Sequence, residues 1–365
     1  LYKMKLDNTG ERLAFQRMDP ASCDSTKYNW RNPFAMDANS DNIIYWGEGN
    51  QLWRNNDAHN IPYNSSHNKS DQGWHGFTDT LPSNNHKISV IRTSTNPPNI
   101  VYYGTQNKYV YRVDDAHTGD PAHTQITNIP TSTNAYCHDL AINPDNGDEF
   151  ILVYSNYSIY SLYHTIDGGT SFTKIAGNLE QNPSGSGNGP SCRSAKIIPL
   201  DNDTLYLVGT TVGLFGTSEL DGENTVWKQV GYNEFGSTIV EDIIYRDSDK
   251  LLVVATYGNG IYQTNINTAT DVLSSSPDNM LFSFDFNIFP NPTTDKMIID
   301  LQLEKSTDVH WTLFNELGRR VLSSKLVGRV GGNNINIDIK SLSSGVYFVS
   351  LNIDGEIITK QIIKQ

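Results

Sequence analysis

The chain has 365 residues, of which 37% are hydrophobic and 18% charged, and its net charge is −13. This composition is typical of a folded protein and excludes a disordered chain, and the length allows two or three domains. The residues from Leu281 onward are neutral, so the whole negative excess lies before them. A surface of that sign repels phosphate groups, which excludes nucleic acid as an expected partner.

No run of eighteen apolar residues occurs, so the sequence predicts no transmembrane helix. The chain opens on LYKMKLD without Met or a signal peptide, which indicates a mature or truncated product of a longer precursor. The spacing of Cys23, Cys137 and Cys192 fits neither a zinc module nor a redox motif. Cys137 and Cys192 occupy similar repeat positions, so a disulfide between them in an exported protein is one alternative and free thiols are the other.

The region before Leu281 is repetitive. An aliphatic–aromatic pair recurs, and the aromatic residues are 51, 58, 52, 52 and 47 positions apart. The pairs are Leu1-Tyr2, Leu52-Trp53, Val110-Tyr111, Leu162-Tyr163, Leu214-Phe215 and Ile261-Tyr262. Two apolar strand patterns separated by Pro, Asn or Asp turns precede the later pairs, and the repeats show no helical pattern.

A period near fifty residues with aromatic and Gly marks in each unit is typical of a β-propeller, since one repeat cannot bury both faces of its sheet. The sequence therefore predicts an all-β fold, with a propeller over residues 1–268. We expect five recognisable blades plus a partial N-terminal one. Leu1-Tyr2 is expected to end an earlier blade, so that either one or more N-terminal blades are missing from this chain or strands from its two ends complete a shared blade.

One repeat contains the segment Thr165–Phe172, which reads TIDGGTSF. This segment resembles the Asp-box hairpin of sialidases, sortilin-type propellers and xyloglucanase-like propellers. The resemblance implies a structural turn in which the Asp167 carboxylate accepts backbone N–H groups, Gly169 opens the turn and Phe172 packs beneath it. It implies no catalytic role for Asp167.

Glycoside hydrolysis needs two carboxylates at a set separation. In a propeller they are expected near the central channel, on the innermost strands. Asp139, Glu241 and Asp242 precede or begin the first strands of their repeats and are the only candidates for that role. No Ser-His-Asp spacing, phosphate loop or dinucleotide fingerprint is present.

No metal site or cofactor is predicted, and calcium is the alternative. Asp37, Asn39, Asp41 and Glu48 have the spacing of most of an EF-hand loop, but Asn42 stands where that loop needs Gly. Four histidines, His59, His67, His75 and His86, fall in one long loop region without the close pairing of a zinc site. A long surface loop is the simpler interpretation of that region.

Residues 269–280 are polar and contain Ser and Pro, which predicts an interdomain linker. Beyond it, Ile335, Ile337 and Ile339 alternate with polar residues, as in a half-buried strand. Asp354-Gly355 lies between two apolar runs and predicts a hairpin turn. Residues 281–365 are therefore expected to form a small immunoglobulin-like β-sandwich.

This C-terminal segment resembles the C-terminal sorting domain of the type IX secretion system of Bacteroidetes-type bacteria, because four of its motifs occur in family order. The residues that carry the resemblance as a sorting signal are Pro290, Asn291 and Pro292, then Gly318, then Gly345 and Tyr347, and finally Lys360 and Lys364. The resemblance implies export to the cell surface or the medium. It also implies that residues 286–365 contact the type IX secretion machinery and an outer-membrane shuttle protein.

The first functional interpretation is an exported propeller that binds or scaffolds, with a polysaccharide or a surface protein as its ligand. The alternative is a glycoside hydrolase that acts on a polysaccharide. A third interpretation is a subunit of an outer-membrane assembly, held through the tail domain.

Overall fold

The computed structural model describes residues 1–81, 86–131, 134–187, 189–273, 286–303, 306–316 and 318–365. The chain divides into two compact units, Leu1–Ser276 and Pro277–Gln365. Strands and turns make up nearly all of the described residues, which confirms the all-β prediction. No helix among these residues is both long and apolar enough to cross a bilayer.

Five successive antiparallel sheets form most of the first unit within the described residues. The first two are β3 (Phe34–Asp37), β4 (Ser40–Glu48), β5 (Gln51–Asn55) and β6 (Trp74–Gly76), then β7 (Ile88–Thr93), β8 (Val101–Thr105), β9 (Val110–Val113) and β10 (Thr124–Ile126). The next two are β11 (Cys137–Asn143), β12 (Asn146–Tyr154), β13 (Leu162–Thr165) and β14 (Thr173–Lys174), then β15 (Cys192–Pro199), β16 (Thr204–Thr210), β17 (Gly213–Thr217) and β18 (Lys228–Val230). The last is β19 (Val240–Arg246), β20 (Leu251–Thr256) and β21 (Ile261–Asn265).

These sheets are the blades of a β-propeller, numbered here 1 to 5 in chain order. The first strands β3, β7, β11, β15 and β19 pack against one another in succession. Apolar clusters fill the spaces between neighbouring sheets; for example, Tyr102, Phe150 and Trp227 are buried in the cluster shared by blades 2, 3 and 4. Burial of both sheet faces in this way is the reason that fifty-residue repeats stack.

The N-terminal pair differs from the expectation. Leu1-Tyr2 was expected to end an earlier blade, but Tyr2 begins β1 (Tyr2–Leu6), which pairs with β2 (Arg12–Arg17) in a separate hairpin. That hairpin contacts blade 1 through a bridge between Gln16 and Ser66. Met18, the residue after β2, is buried against side chains of the same blade.

Short helices interrupt the strand pattern, contrary to the prediction of helix-free repeats. They are α1 (Tyr232–Phe235), α2 (Thr270–Leu273) and the 3-10 turns Ser25–Lys27, Gly177–Leu179, Gly222–Asn224 and Asp247–Asp249. Ala269 and Val272 are buried in the core of blades 4 and 5, so the first residues of the predicted linker pack with the propeller. Apolar side chains at these two positions explain the difference, and residues 274–280 lie outside the described part.

The three cysteines are buried free thiols, so no bridge joins Cys137 to Cys192. Burial raises the pKa of the Cys192 thiol to about 12 and that of Cys137 further. Thiols held in this protonated state are poor nucleophiles.

The second unit is a sandwich of two antiparallel sheets. One contains β22 (Phe286–Phe289), β23 (Lys296–Leu303) and β26 (Gly331–Asp338), and the other β24 (Thr307–Asn315), β25 (Arg320–Gly328), β27 (Gly345–Ile353) and β28 (Glu356–Lys364). Ile335, Ile337 and Ile339 point into a core built only from this unit. The predicted alternation is thus the inward face of the sandwich.

Candidate functional site

The first strands of the five blades surround a cavity of about 270 Å³. Each blade contributes to its lining, which includes Met36, Arg92, Leu140, Lys196 and Ile243. We call this space the channel. The charged residues of its lining, Arg92 and Lys196, were not predicted from the sequence.

A β-bulge at the second residue of the first strand repeats in blades 2 to 5. The strand registers skip Ser89, His138, Arg193 and Glu241, each between two paired neighbours. A bulge leaves its extra residue outside the ladder and re-aims the side chain. Blades 2 to 5 therefore each have one unpaired position near the beginning of the first strand.

Asp139 links three blades. Its carboxylate is buried and lies 2.6 Å from Nη2 of Arg92 in blade 2. It also accepts the backbone N–H groups of Leu140, at 2.7 Å, and of Ala195 in blade 4, at 3.1 Å. The two carboxylate oxygens thus contact three donor groups, and these contacts join blades 2, 3 and 4.

Lys196 and Asp242 lie close to the Arg92–Asp139 pair. Burial lowers the pKa of the Lys196 ammonium, and the neighbouring Arg92 lowers it further. The side chain of Asp242 is exposed, but its carboxyl group is partly desolvated, which raises its pKa, and the Asp139 charge adds to this rise. The channel thus holds a carboxyl group that binds a proton more readily than usual and an ammonium that loses one more readily.

A second group of charged side chains lies next to this one but outside the channel lining; it contains His138, Arg193, Glu241 and Arg31. Arg193 Nη1 lies 3.9 Å from Glu241 Oε1. Burial lowers the pKa of the His138 imidazole, and Arg193 and Arg31 lie near enough to lower it further. Arg193 Nε and His138 Nδ1 are shielded from solvent and have no hydrogen-bond partner among the described residues.

The three carboxylates selected from the sequence therefore meet in one place. Asp139 and Asp242 interact in the first group of charged side chains, and Glu241 lies in the second. The sequence did not identify four further residues of this region, which are Arg92, His138, Arg193 and Lys196. If the sequences of the first strands are aligned, His138 and Arg193 fall at the position of Glu241. They hold the same bulge position in their blades, so the alignment would have identified them.

Asp167 lies in the turn after β13 and not in the channel lining. Its carboxylate accepts the Ser171 hydroxyl at 2.6 Å, the Ser171 N–H at 2.9 Å and the Thr165 hydroxyl at 2.8 Å. Gly169 has φ +90, and a Cβ there would meet Ile126 of blade 2. Phe172 packs edge-on against Phe150, with ring centroids 6.1 Å apart.

Replacement of Asp167 by Ala is expected to destabilise the protein at neutral pH but not in acid. Hydrogen bonds from the Ser171 hydroxyl, the Ser171 N–H and Thr165 lower the pKa of Asp167 to about 2. A lowered folded-state pKa gives stability above the unfolded value near 4 that disappears as the pH falls through 2. The melting temperatures of wild type and Asp167→Ala should therefore differ at pH 7 and converge near pH 2. Asp203→Ala, at another exposed turn, is the control, and a gap that persists in acid would contradict the assignment.

The calcium alternative is not supported by the positions of its residues. Asp37 Oδ1 accepts the N–H of Asn39, and Asp41 follows at the start of β4. Glu48 ends that strand about 23 Å from Asp41 at the usual rise per residue, and it accepts Trp53 Nε1 at 2.8 Å. The spacing of these residues resembles a calcium-binding loop, but most of the segment is an extended strand. The carboxylates of Asp41 and Glu48 therefore cannot bind the same ion.

The loop histidines are also dispersed. His67 contacts the Tyr2 hydroxyl, His75 contacts Asp120, and His86 packs on the Tyr109 ring. Among the described residues, no group of three His, Cys, Asp or Glu could hold a metal ion.

In the tail unit, the first and last sorting motifs come together. Asn291, between Pro290 and Pro292, donates to the carbonyl of Gln361 and accepts the N–H of Ile363, each at 3.0 Å. The carbonyl of Ile363 also accepts the N–H of Thr293. Lys364, the last of these residues in β28, has a buried side chain.

The remaining motifs have local structural roles. Gly318, with φ +71, lies in the turn that Asn315 closes by accepting the N–H of Arg319. Tyr347 donates its hydroxyl to the carbonyl of Ser343, just before Gly345 begins β27. Lys360 places its ammonium 5.2 Å from the centre of the Phe286 ring.

Comparison with known proteins assigns the tail. Residues 287–365 match the family described as the secretion system C-terminal sorting domain. This domain marks proteins that type IX secretion exports to the cell surface or beyond, so the protein is exported and its tail interacts with the type IX machinery.

The other two comparisons show less. No curated protein matches the chain. Among solved structures, the GH74 enzyme of Niastella koreensis aligns with 89% of this chain at 13% identity and a TM-score of 0.37. The chain spans 56% of the length of that structure.

Proposed function

We propose that the protein is an exported binding module and that its channel holds an anionic group of a polysaccharide or surface ligand. The observation that carries the proposal is the pair of shielded, unpartnered nitrogens, Arg193 Nε and His138 Nδ1, which belong to neighbouring side chains on first strands next to the channel. Buried polar atoms without partners are costly and suit a ligand that satisfies them.

Charge supports the same ligand class. The residues before Leu281 carry 31 acidic and 18 basic side chains, yet Arg31, Arg92, Arg193 and Lys196 lie in or next to the channel. A concave site with cations at its wall attracts anions even when the protein as a whole is acidic. Asp139 neutralises Arg92, and Glu241 lies 3.9 Å from Arg193. The four cations still outnumber the three carboxyl groups, of which Asp242 has a raised pKa, so the balance of charge is positive.

Binding of polygalacturonate oligomers is expected to weaken with salt and to fall at least tenfold in Arg193→Met. This change keeps the length of the side chain but removes the guanidinium donors. Arg246→Met is the matched control, since Arg246 is exposed and paired with Asp249. Titration calorimetry at two salt concentrations, with neutral dextran in parallel, measures the effect. Equal affinity for both polymers, or unchanged affinity in Arg193→Met, would contradict the proposal.

A glycoside hydrolase is the second candidate. The raised pKa of Asp242 suits a proton donor, and Glu241 is its neighbour in the chain. Two carboxyl groups in these roles are what hydrolysis requires. The test is to incubate the protein with the same polysaccharides and to measure new reducing ends. If reducing ends form with wild type but not with Asp242→Asn, the protein is a hydrolase and not only a binding module.

The sorting domain adds a proposed partner at the other unit. An outer-membrane shuttle protein would contact the surface around Asn291 and the end of β28, where the first and last motifs meet. A cell-surface scaffold or a subunit of a larger outer-membrane assembly would share this attachment.

A further inference from the structure

A second cavity, of about 440 Å³, lies between the N-terminal hairpin, residues 17–34 and blade 1. We call it the aromatic pocket, because its lining includes the rings of Tyr2, Tyr28, Trp30, Phe34 and Trp46. Nothing in the channel site uses these side chains. A concave space lined by aromatic rings and a few polar groups is the usual form of a small-molecule site.

The floor of the aromatic pocket is rigid and electrically balanced. Asp19 is 1% exposed and accepts Arg17 Nε at 2.8 Å and Nη2 at 2.9 Å. Asp19 also accepts the Tyr28 hydroxyl at 2.8 Å. The Tyr28 ring meets Trp46 edge-on, with centroids 5.3 Å apart. Asp19 is also 3.4 Å from the Leu1 ammonium, so every charged group at the floor of the pocket has an opposite partner, which suits an uncharged ligand.

Trp30 stands at the tip of a turn whose two ends are tied down. Asn32 Oδ1 accepts the N–H of Asn29 at 2.8 Å, and Asn29 Nδ2 donates to the carbonyl of Ile88 in blade 2 at 2.7 Å. The Trp30 side chain is nevertheless 100% exposed, and Phe34 beside it is 52% exposed. A large ring held in water on a fixed turn is a feature of recognition surfaces, where aromatic residues are enriched.

We propose that the aromatic pocket binds a neutral pyranose unit of a glycan. A pyranose with equatorial hydroxyls has a flat face of C–H groups and a polar rim. The flat face fits Trp30 and Phe34, while the rim reaches the amide of Asn32 and the guanidinium of Arg17. This inference goes beyond the channel and does not depend on it, because the two sites differ in charge and in lining.

Tryptophan fluorescence with cellotetraose tests the aromatic pocket on the full chain. We expect saturable quenching in wild type. The affinity should fall at least tenfold in Trp30→Ala and recover in part in Trp30→Phe. Because both variants lack the indole of Trp30, their affinities are measured by calorimetry. Tyr157→Ala is the matched control, since Tyr157 is also an exposed aromatic, at 65%, outside the pocket. Arg193→Met should bind cellotetraose as wild type does, which separates this site from the channel.

Two outcomes would overturn the inference. One is an absence of cellotetraose binding in wild type, or binding that Trp30→Ala leaves unchanged by calorimetry. The other is concentration-dependent association of the protein that Trp30→Ala abolishes in sedimentation runs while no sugar binds, because the pocket would then be a contact between copies of this chain. The melting temperature of each variant is measured as a control, so that a loss of binding can be distinguished from a loss of folded protein.

Discussion

Cells that express the protein without residues 286–365 are expected to retain nearly all of it inside. The tail unit carries the sorting domain and has its own hydrophobic core, from Phe286 to Ile362. The propeller core uses none of these residues, so the truncated protein should still fold. Cell fractionation with protease treatment of intact cells measures the surface and secreted fractions.

Two controls make this result specific. The truncated protein should melt cooperatively when purified, which excludes loss of export through misfolding. Residues 286–365 fused to an unrelated exported cargo should carry that cargo to the surface. Normal surface display of the truncated protein would show that another segment directs export.

The second large effect is expected from Asp139→Ala, which should lower the free energy of unfolding by about 2–4 kcal/mol. Loss of one partner of a buried ion pair typically costs 3–5 kcal/mol because the other charge stays unpaired. The value is reduced here because the Arg92 side chain is 39% exposed. The two backbone N–H groups of Leu140 and Ala195 also lose their acceptor. Urea unfolding followed by tryptophan fluorescence measures the change.

Asp249→Ala supplies the comparison. Asp249 pairs with Arg246 at 2.6 Å, but both side chains are exposed, so its loss should lower the free energy of unfolding much less than Asp139→Ala does. The Asp139 result also separates a structural from a catalytic carboxylate. If Asp139→Asn abolished a glycosidase activity while leaving stability unchanged, the assignment of Asp139 as a link between blades would be wrong.

The period of the repeats was sufficient to predict the blades, because burial between stacked sheets requires the same apolar strands in every unit. It also placed Asp139, Glu241 and Asp242 near the axis. The bulges were not predictable, since the skipped residues Ser89 and His138 share no side-chain chemistry that marks them. The pairing of Arg92 with Asp139 depends on register between blades, which no local pattern encodes.

The tail shows the same division. Alternating isoleucines predicted the buried face of β26 and the residue that follows it. The resemblance identified the sorting motifs but not that Asn291 holds the end of β28. Such contacts join residues about seventy positions apart, and their cause is the closure of the sandwich, not the local sequence.

The repeated bulges have a consequence for engineering. Because Ser89, His138, Arg193 and Glu241 stand outside the ladder registers, exchanging them should leave strand pairing intact. A combinatorial library at these four codons would vary the chemistry of one concave surface while keeping the scaffold constant. We expect such a library to change the specificity proposed for the propeller while its strands stay paired.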